Sequence, residues 1–263
     1  MSRNHIRHTG LSFFFALLLL TSCSGNGGSG NVPQRGFHAD SKKHVETEKH
    51  ADGEIEEYVE VEETPPHRFD SLGLVNIARL DTTIAVSLLY ATPHNFVGEV
   101  LYDDLTEAYL HPEAADALVK AQRLLKEKHP DYRLIVYDAT RPMAAQRKMW
   151  DLVKGTSKSI YVSNPARGGG LHNYGLAVDV SILDAHGAPL PMGTEVDHLG
   201  SEAHITAEAQ LVKQGKISIQ EKENRELLRA VMRGAGFRAL PSEWWHFNLY
   251  SRETAKQQYT LIE

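Results

Sequence analysis

Two short segments concentrate the residue types that bind metals and move protons. In residues 168–179, His172 stands among glycines and Asp179 follows seven positions later. Leu176, Val178, Val180 and Ile182 alternate with Ala177, Asp179 and Ser181, which places the two sets on opposite faces of a strand. Glycines around His172 let the backbone bend its imidazole towards the face that carries Asp179. A neutral imidazole and a carboxylate converging in this way make two of the three protein ligands of a catalytic zinc site. The spacing alone equally describes a glycine-rich turn with a hydrogen-bonded aspartate.

The second segment, residues 242–249, reads Ser-Glu-Trp-Trp-His-Phe-Asn-Leu. His246 is a candidate third ligand, and Glu243 a carboxylate able to take a proton from water acidified by a metal. Positions i and i+3 face opposite ways in an ideal strand, so the pair shares a cavity only if Glu243 lies in the turn after Pro241 or at a bulge. Trp244 and Trp245 would then screen the carboxyl from water and raise its pKa. A core aromatic strand with incidental polar residues is the alternative. In residues 137–142 (Tyr-Asp-Ala-Thr-Arg-Pro) Arg141 sits where a strand ends and a helix begins. Its permanent charge suits the oxyanion of a tetrahedral intermediate, and a surface ion pair with Asp138 is the plainer reading.

The elements that must hold these residues alternate irregularly. Residues 84–90, 132–137, 176–182 and 244–250 read as strands. Residues 112–129, with Leu118, Ala121 and Leu125 on one stripe, read as a helix, as do 142–153, with Pro142 at the first helical position, and 219–233, stopping at Gly234 and Gly236. Without a regular strand-helix-strand rhythm, the class is α+β rather than a doubly wound sheet.

Composition bounds the chemistry. The 263 residues carry 41% hydrophobic and 24% charged residues and a net charge of −6, with a pI near 6.2 and a mean hydropathy of −0.36. No basic surface for nucleic acid is expected, nor a polytopic membrane protein. The single cysteine excludes an internal disulfide framework and a cysteine-rich zinc ribbon. That cysteine, Cys23, follows Arg3, Arg7 and an apolar run over residues 11–20, a signal-peptide pattern. Small residues leading into it resemble a bacterial lipoprotein signal, which implies a signal peptide over residues 1–22, lipid attachment at Cys23 and membrane anchoring. Ser24, rather than Asp, after the cysteine points to the outer membrane, with the chain facing the periplasm. Residues 23–70 read as a flexible acidic tether. His38, His44 and His50 within it read as solvated polar residues. The remainder, residues 71–263, is the folded domain.

Taken together, the three chemical segments resemble the D-alanyl-D-alanine dipeptidase family, the VanX-type zinc peptidases related to D,D-carboxypeptidases and the Hedgehog fold. The family's Ser-x-His-x6-Asp and Glu-x-x-His segments fall on His172, Asp179, Glu243 and His246, and its Arg-Pro on Arg141 and Pro142. Residues 89–98 (Leu-Tyr-Ala-Thr-Pro-His-Asn-Phe-Val-Gly) and 192–197 (Met-Gly-Thr-Glu-Val-Asp) look like two further elements of the dipeptidase branch. The resemblance spans about residues 72–250. It implies a Hedgehog/D,D-peptidase-like α+β fold with an antiparallel central sheet flanked by helices. It also implies one zinc ion per chain on His172, Asp179 and His246, Glu243 as proton acceptor and donor, and Arg141 on the oxyanion. Asp197 and Tyr90 are its candidate substrate-binding residues, Asp197 for a dipeptide's free amino group. The implied substrate is D-alanyl-D-alanine, with no nucleic acid and no partner protein. Gly170 stands where the family often has Ser, Thr140 precedes Arg141 in place of an aromatic, and Val196 replaces Phe. A D,D- or L,D-carboxypeptidase acting on peptidoglycan stems is the nearest alternative, and a non-catalytic zinc-stabilised binding lipoprotein a more distant one. His94, His111, His129, His186, His198 and His204 read as structural or exposed.

Overall fold

The computed structural model describes residues 44–49, 55–60 and 68–263, and the chain divides into two units, Met1–Thr64 and Pro65–Glu263. The leader, Cys23, His38 and His50 lie outside the described residues. In the first unit, strand β1 (His44–Lys49) pairs antiparallel with β2 (Ile55–Glu60), His44 opposite Glu60 and Lys49 opposite Ile55. This hairpin lies inside the stretch that composition reads as a tether; Val45, Thr47, Ile55 and Val59 supply β-branched residues that favour extended backbone.

The second unit begins with a short helix α1 (Arg68–Ser71), strand β3 (Val75–Asn76), α2 (Ile77–Leu80), β4 (Ala85–Val86) and β5 (Tyr109–Leu110). Then come α3 (Pro112–Lys128), β6 (Arg133–Asp138), α4 (Met143–Val153), β7 (Ala177–Leu183), α5 (Glu208–Lys213), α6 (Ile219–Ala235), β8 (Arg238–Ala239), β9 (His246–Asn248) and α7 (Arg252–Gln258). A five-stranded sheet has the order β4-β6-β7-β9-β8. Three of its pairings are antiparallel, but β4 runs parallel to β6 at one edge, so the sheet is mixed rather than wholly antiparallel. The class is α+β.

Helices α3 and α6 pack on each other. Leu118, Ala121 and Leu125 are fully buried on α3, as is Leu228 on α6, so one amphipathic face of each helix meets the core. A capping box starts α6: Ser218 Oγ accepts from the Glu221 backbone N–H, and a Glu221 carboxylate oxygen accepts from the Ser218 N–H. Gly236, at φ +110°, closes the helix in the left-handed conformation. Gly234 lies inside α6 instead of ending it, and Pro142 caps α4 without entering it.

Two expected strands are shorter than their composition. Over residues 84–90 only Ala85–Val86 pair with β6; Ser87 adds one more backbone bond to Val136, and Leu89–Ala91 then turn as a 3-10 helix that carries Tyr90 inward. Over 244–250 only His246–Asn248 are strand, because the two tryptophans belong to the turn before it. Strand β7 is buried along its whole length. Val178, Val180 and Ile182 enter the main core, and the face that carries Asp179 and Ser181 is covered as well. A carboxylate buried there demands partners.

A candidate metal centre on three adjacent strands

Strand register assembles the centre. Asp138 on β6 lies opposite Asp179 on β7, and Asp179 lies opposite His246 on β9. The β6 register shifts between Val136 and Asp138, a bulge that brings Asp138 into this row. His172 comes from the 3-10 turn Leu171–Tyr174 just before β7. That turn ends at Gly175, at φ +67°, where an added Cβ would lie 2.9 Å from the His111 backbone N. Only glycine fits both the left-handed backbone and the close approach.

The orientation of each imidazole follows from its outer hydrogen bond. His172 Nδ1 lies 2.6 Å from the Ala139 carbonyl oxygen, which can only accept, so Nδ1 carries the proton and Nε2 presents a lone pair. His246 Nε2 lies 2.9 Å from Asn248 Oδ1, so its bare nitrogen is Nδ1. These two bare nitrogens are 3.1 Å apart, and Asp179 Oδ1 is 3.0 Å from His246 Nδ1 and 3.3 Å from His172 Nε2. Three lone-pair donors thus face one another, an arrangement that repels unless a cation lies among them. A tetrahedral zinc ion with bonds of about 2.0–2.1 Å would space its ligands at about 3.3 Å, and the donor set fits. His172, Asp179 and His246 form a group able to hold a metal, and the outer hydrogen bonds are those that orient metal-bound histidines. Burial raises the Asp179 carboxyl, and it falls below the usual carboxylate range when N–H donors or positive charge at His172 and His246 face it, the role a bound cation takes when those ring nitrogens are bare.

Glu243 stands in the turn after Pro241, its backbone N–H donating to the Leu240 carbonyl at 3.3 Å, so the i,i+3 pair meets in one cavity. A Glu243 carboxylate oxygen lies 3.9 Å from His246 Nδ1. Burial pushes its carboxyl up to about 7; His246 and Arg141 oppose that shift, and Asp179 and Asp197 add to it. Trp245 lines the cavity beside it, whereas Trp244 turns away, its indole N–H donating to Thr194 Oγ1 at 2.8 Å.

Arg141 does pair with Asp138, but in the interior rather than at the surface. Its Nε and Nη2 donate to Asp138 Oδ2 at 2.9 and 2.6 Å, and its Nη1 to Gln146 Oε1 at 3.1 Å. Tyr102 donates to the other Asp138 oxygen at 2.5 Å. Of the five guanidinium N–H groups, two remain uncommitted, and Nη2 lies 3.7 Å from Asp179 Oδ2. The guanidinium also lies over the Tyr90 ring, 5.0 Å from its centroid.

Tyr90 donates its hydroxyl proton to Asp197 Oδ1 at 2.8 Å. Asp197 Oδ2 is buried and has no hydrogen-bond partner among the described residues. Burial, reinforced by Asp179, pushes the Asp197 carboxyl up to about 7. The residue also adopts φ +66°, a conformation that costs a non-glycine residue about 1–2 kcal/mol. A strained residue with an orphaned acceptor at a cavity wall is built to receive a donor. Tyr90, Arg141, Asp197, Glu243 and the three candidate metal ligands line one cavity of about 420 Å³, within the range of small-molecule sites.

Sequence reasoning did not single out Tyr102, Gln146, Ser163, Asn248 or Arg252. Asn248 carried a usable signal, two residues beyond His246 on the same strand face; the others meet the site only through tertiary packing. Among the described residues no helix is long and apolar enough to cross a membrane.

Residues 70–262 match the Peptidase M15 family, described as D-ala-D-ala dipeptidase. A D-alanyl-D-alanine dipeptidase of Escherichia coli is 31% identical over 180 residues, covering 68% of this chain and 86% of that protein. One from Synechocystis is 31% identical over 160 residues, covering 50% of this chain and 65% of that protein. A solved structure of the LdcB LD-carboxypeptidase aligns at 23% identity with a TM-score of 0.33, over 57% of this chain and 63% of that one.

Proposed function

Because the chain belongs to the D-ala-D-ala dipeptidase family of M15 metallopeptidases, we propose that it hydrolyses D-alanyl-D-alanine to two D-alanine molecules with one zinc ion held by His172, Asp179 and His246. The observation that carries this reading is the trio His172 Nε2, His246 Nδ1 and Asp179 Oδ1 facing one another at 3.0–3.3 Å, with the buried Glu243 carboxyl beside them.

Zinc, when bound, supplies Lewis acidity that brings the pKa of a water towards neutrality and polarises the scissile carbonyl. Glu243 accepts the water's proton on its carboxylate and passes it to the leaving amine. Burial of the Glu243 side chain favours its protonated form relative to an exposed carboxylate, which suits a group that must hold the proton before passing it on. The two spare N–H groups of Arg141 face the developing oxyanion, and Asp138 with Gln146 keeps the guanidinium from swinging away. Asp197 Oδ2 receives the substrate's ammonium, and Tyr90, whose burial keeps its phenol protonated, fixes the other oxygen. Trp245 and the buried row behind the centre exclude bulk water.

The test is release of free D-alanine by the zinc-loaded chain from D-alanyl-D-alanine and from a pentapeptide stem ending in it. Cleavage of the dipeptide alone is expected; cleavage of the stem would move the protein to the carboxypeptidases, and zinc binding without either product would favour a binding role. We further propose that the mature protein is a lipoprotein anchored through Cys23 in the outer membrane and facing the periplasm, on the strength of the apolar run and the small residues leading into Cys23. Incorporation of labelled palmitate that disappears in Cys23→Ala would support it.

A further inference from the structure

The cavity holds three guanidinium groups, and they differ in what each has left for a ligand. Arg141 is largely committed to Asp138 and Gln146. Arg238 and Arg252 also line the cavity, are exposed, and form no ion pair among the described residues. Of these two, Arg252 is anchored. Its Nη2 donates to Ser163 Oγ at 2.9 Å, the Ser163 carbonyl accepts from Gln146 Nε2 at 2.7 Å, and Gln146 holds Arg141. One run of hydrogen bonds therefore ties the Arg252 head to the group that faces Asp179.

Gly170 makes this arrangement possible. A Cβ at that position would lie 2.9 Å from Ser163 Oγ and 3.2 Å from Ser163 Cβ, so the missing side chain gives Ser163 its place against the His172 turn. The Ser163 hydroxyl accepts from Arg252 and keeps its own proton to donate, and the guanidinium keeps further N–H groups. Together they offer a carboxylate a charge-assisted contact and a neutral one. The acidic members of the cavity, Asp179, Asp197 and Glu243, lie on other elements. A dipeptide is a zwitterion with a charge at each end, and Asp197 meets only the ammonium.

We infer that Arg252, together with the Ser163 hydroxyl, binds the free α-carboxylate of the dipeptide and sets the requirement for an unblocked C-terminus. This assignment rests on the dipeptidase reading above. Arg252 is then a specificity residue whose contribution vanishes when the substrate carboxylate is removed.

The experiment compares D-alanyl-D-alanine with its C-terminal amide, using the full zinc-loaded chain and release of free D-alanine. The unaltered protein is expected to prefer the acid. In Arg252→Gln the KM for the acid rises about tenfold or more with kcat little changed, kcat/KM for the amide stays where it was, and the preference collapses; Arg252→Lys restores part of it. Arg238→Gln keeps the preference. Survival of the preference in Arg252→Gln, or its loss only in Arg238→Gln, overturns the assignment. Calorimetric binding of acid and amide to Glu243→Ala, with and without Arg252→Gln, separates the two readings. Arg252-dependent binding of the acid without turnover by the unaltered protein removes the dipeptidase reading alone, turnover that ignores Arg252 removes this assignment alone, and neither binding nor turnover removes both.

Discussion

His172 Nε2 and His246 Nδ1 approach to 3.1 Å while the opposite nitrogen of each ring is held by an acceptor, the Ala139 carbonyl for one and Asn248 Oδ1 for the other. A proton shared between the rings would need one of those outer bonds to break. A metal needs neither to change.

The first consequence concerns zinc affinity. Asn248→Ala frees the His246 ring to flip and should weaken zinc binding by about 10–100-fold without unfolding the chain. Zinc titration with a competing chelator measures it, and circular dichroism checks the fold. Unchanged affinity would mean that the ring is held by its packing alone.

Glu243→Ala should leave zinc bound at one ion per chain and abolish turnover. Equilibrium dialysis with metal analysis reads the first, D-alanine release the second. Loss of the metal instead would make Glu243 a ligand rather than the proton carrier.

Arg141→Ala should lower kcat by about 100-fold or more through the lost oxyanion contact. It should also cost about 3 kcal/mol or more in stability, because buried Asp138 would lose its counter-charge and keep Tyr102 as its remaining short hydrogen bond, with His172 Nδ1 at 3.5 Å. Kinetics and denaturant unfolding on the same preparation separate the two effects; a kcat loss with full stability would mean that Asp138 finds another partner.

The metal-free chain should grow less stable as pH rises from about 5 to 8. Asp197 and Glu243 both have folded pKa values raised to about 7, so between the ordinary carboxylate range and pH 7 the folded chain holds protons that the unfolded chain has lost. Stability from these groups is full below about pH 4 and is lost as pH rises through 7. Asp179, shifted down, contributes its change only in more acid solution. Asp197→Asn keeps the amide-tolerant positive-φ backbone and removes one buried charge, so it should gain about 1–3 kcal/mol at pH 8 and flatten the profile. Thermal unfolding across pH in the presence of chelator is the check, and a rising profile would contradict it.

Gly170→Ser alone should disturb the site, since its Cβ would meet Ser163 Oγ at 2.9 Å. Pairing it with Ser163→Ala removes that hydroxyl and should recover stability by comparison with the single variant. The melting temperatures of the single and double variants decide it.

Much of the centre was legible in the sequence because its chemistry is local. His172 lies beside the turn that feeds β7, Asp179 is set by strict alternation, and Pro241 marks the turn that aims Glu243. Helix α3 was equally plain from its apolar stripe, and α6 from the glycines at its C-terminal end. What the sequence hid depends on packing between distant segments. Tyr90 looked like part of a strand until the chain turned after Ser87, and Arg252 meets Ser163 across 89 positions. The bulge that sets Asp138 opposite Asp179 has no sequence marker. The parallel edge strand β4 was unreadable for a related reason, as a two-residue pairing has too little periodicity to declare its direction.

The row Asp138–Asp179–His246 runs across three neighbouring strands, while Asp197, Ser163 and Arg252 come from the segments around it. Reactivity is thereby written into the sheet and the turns that flank its strands, which carry His172, Arg141 and Glu243, and selectivity into the more distant loops and α7. The two can be edited separately: a new set of contacts for a longer, branched or differently charged peptide is open to loop replacement, with the hydrolytic row left untouched as an exchangeable engine.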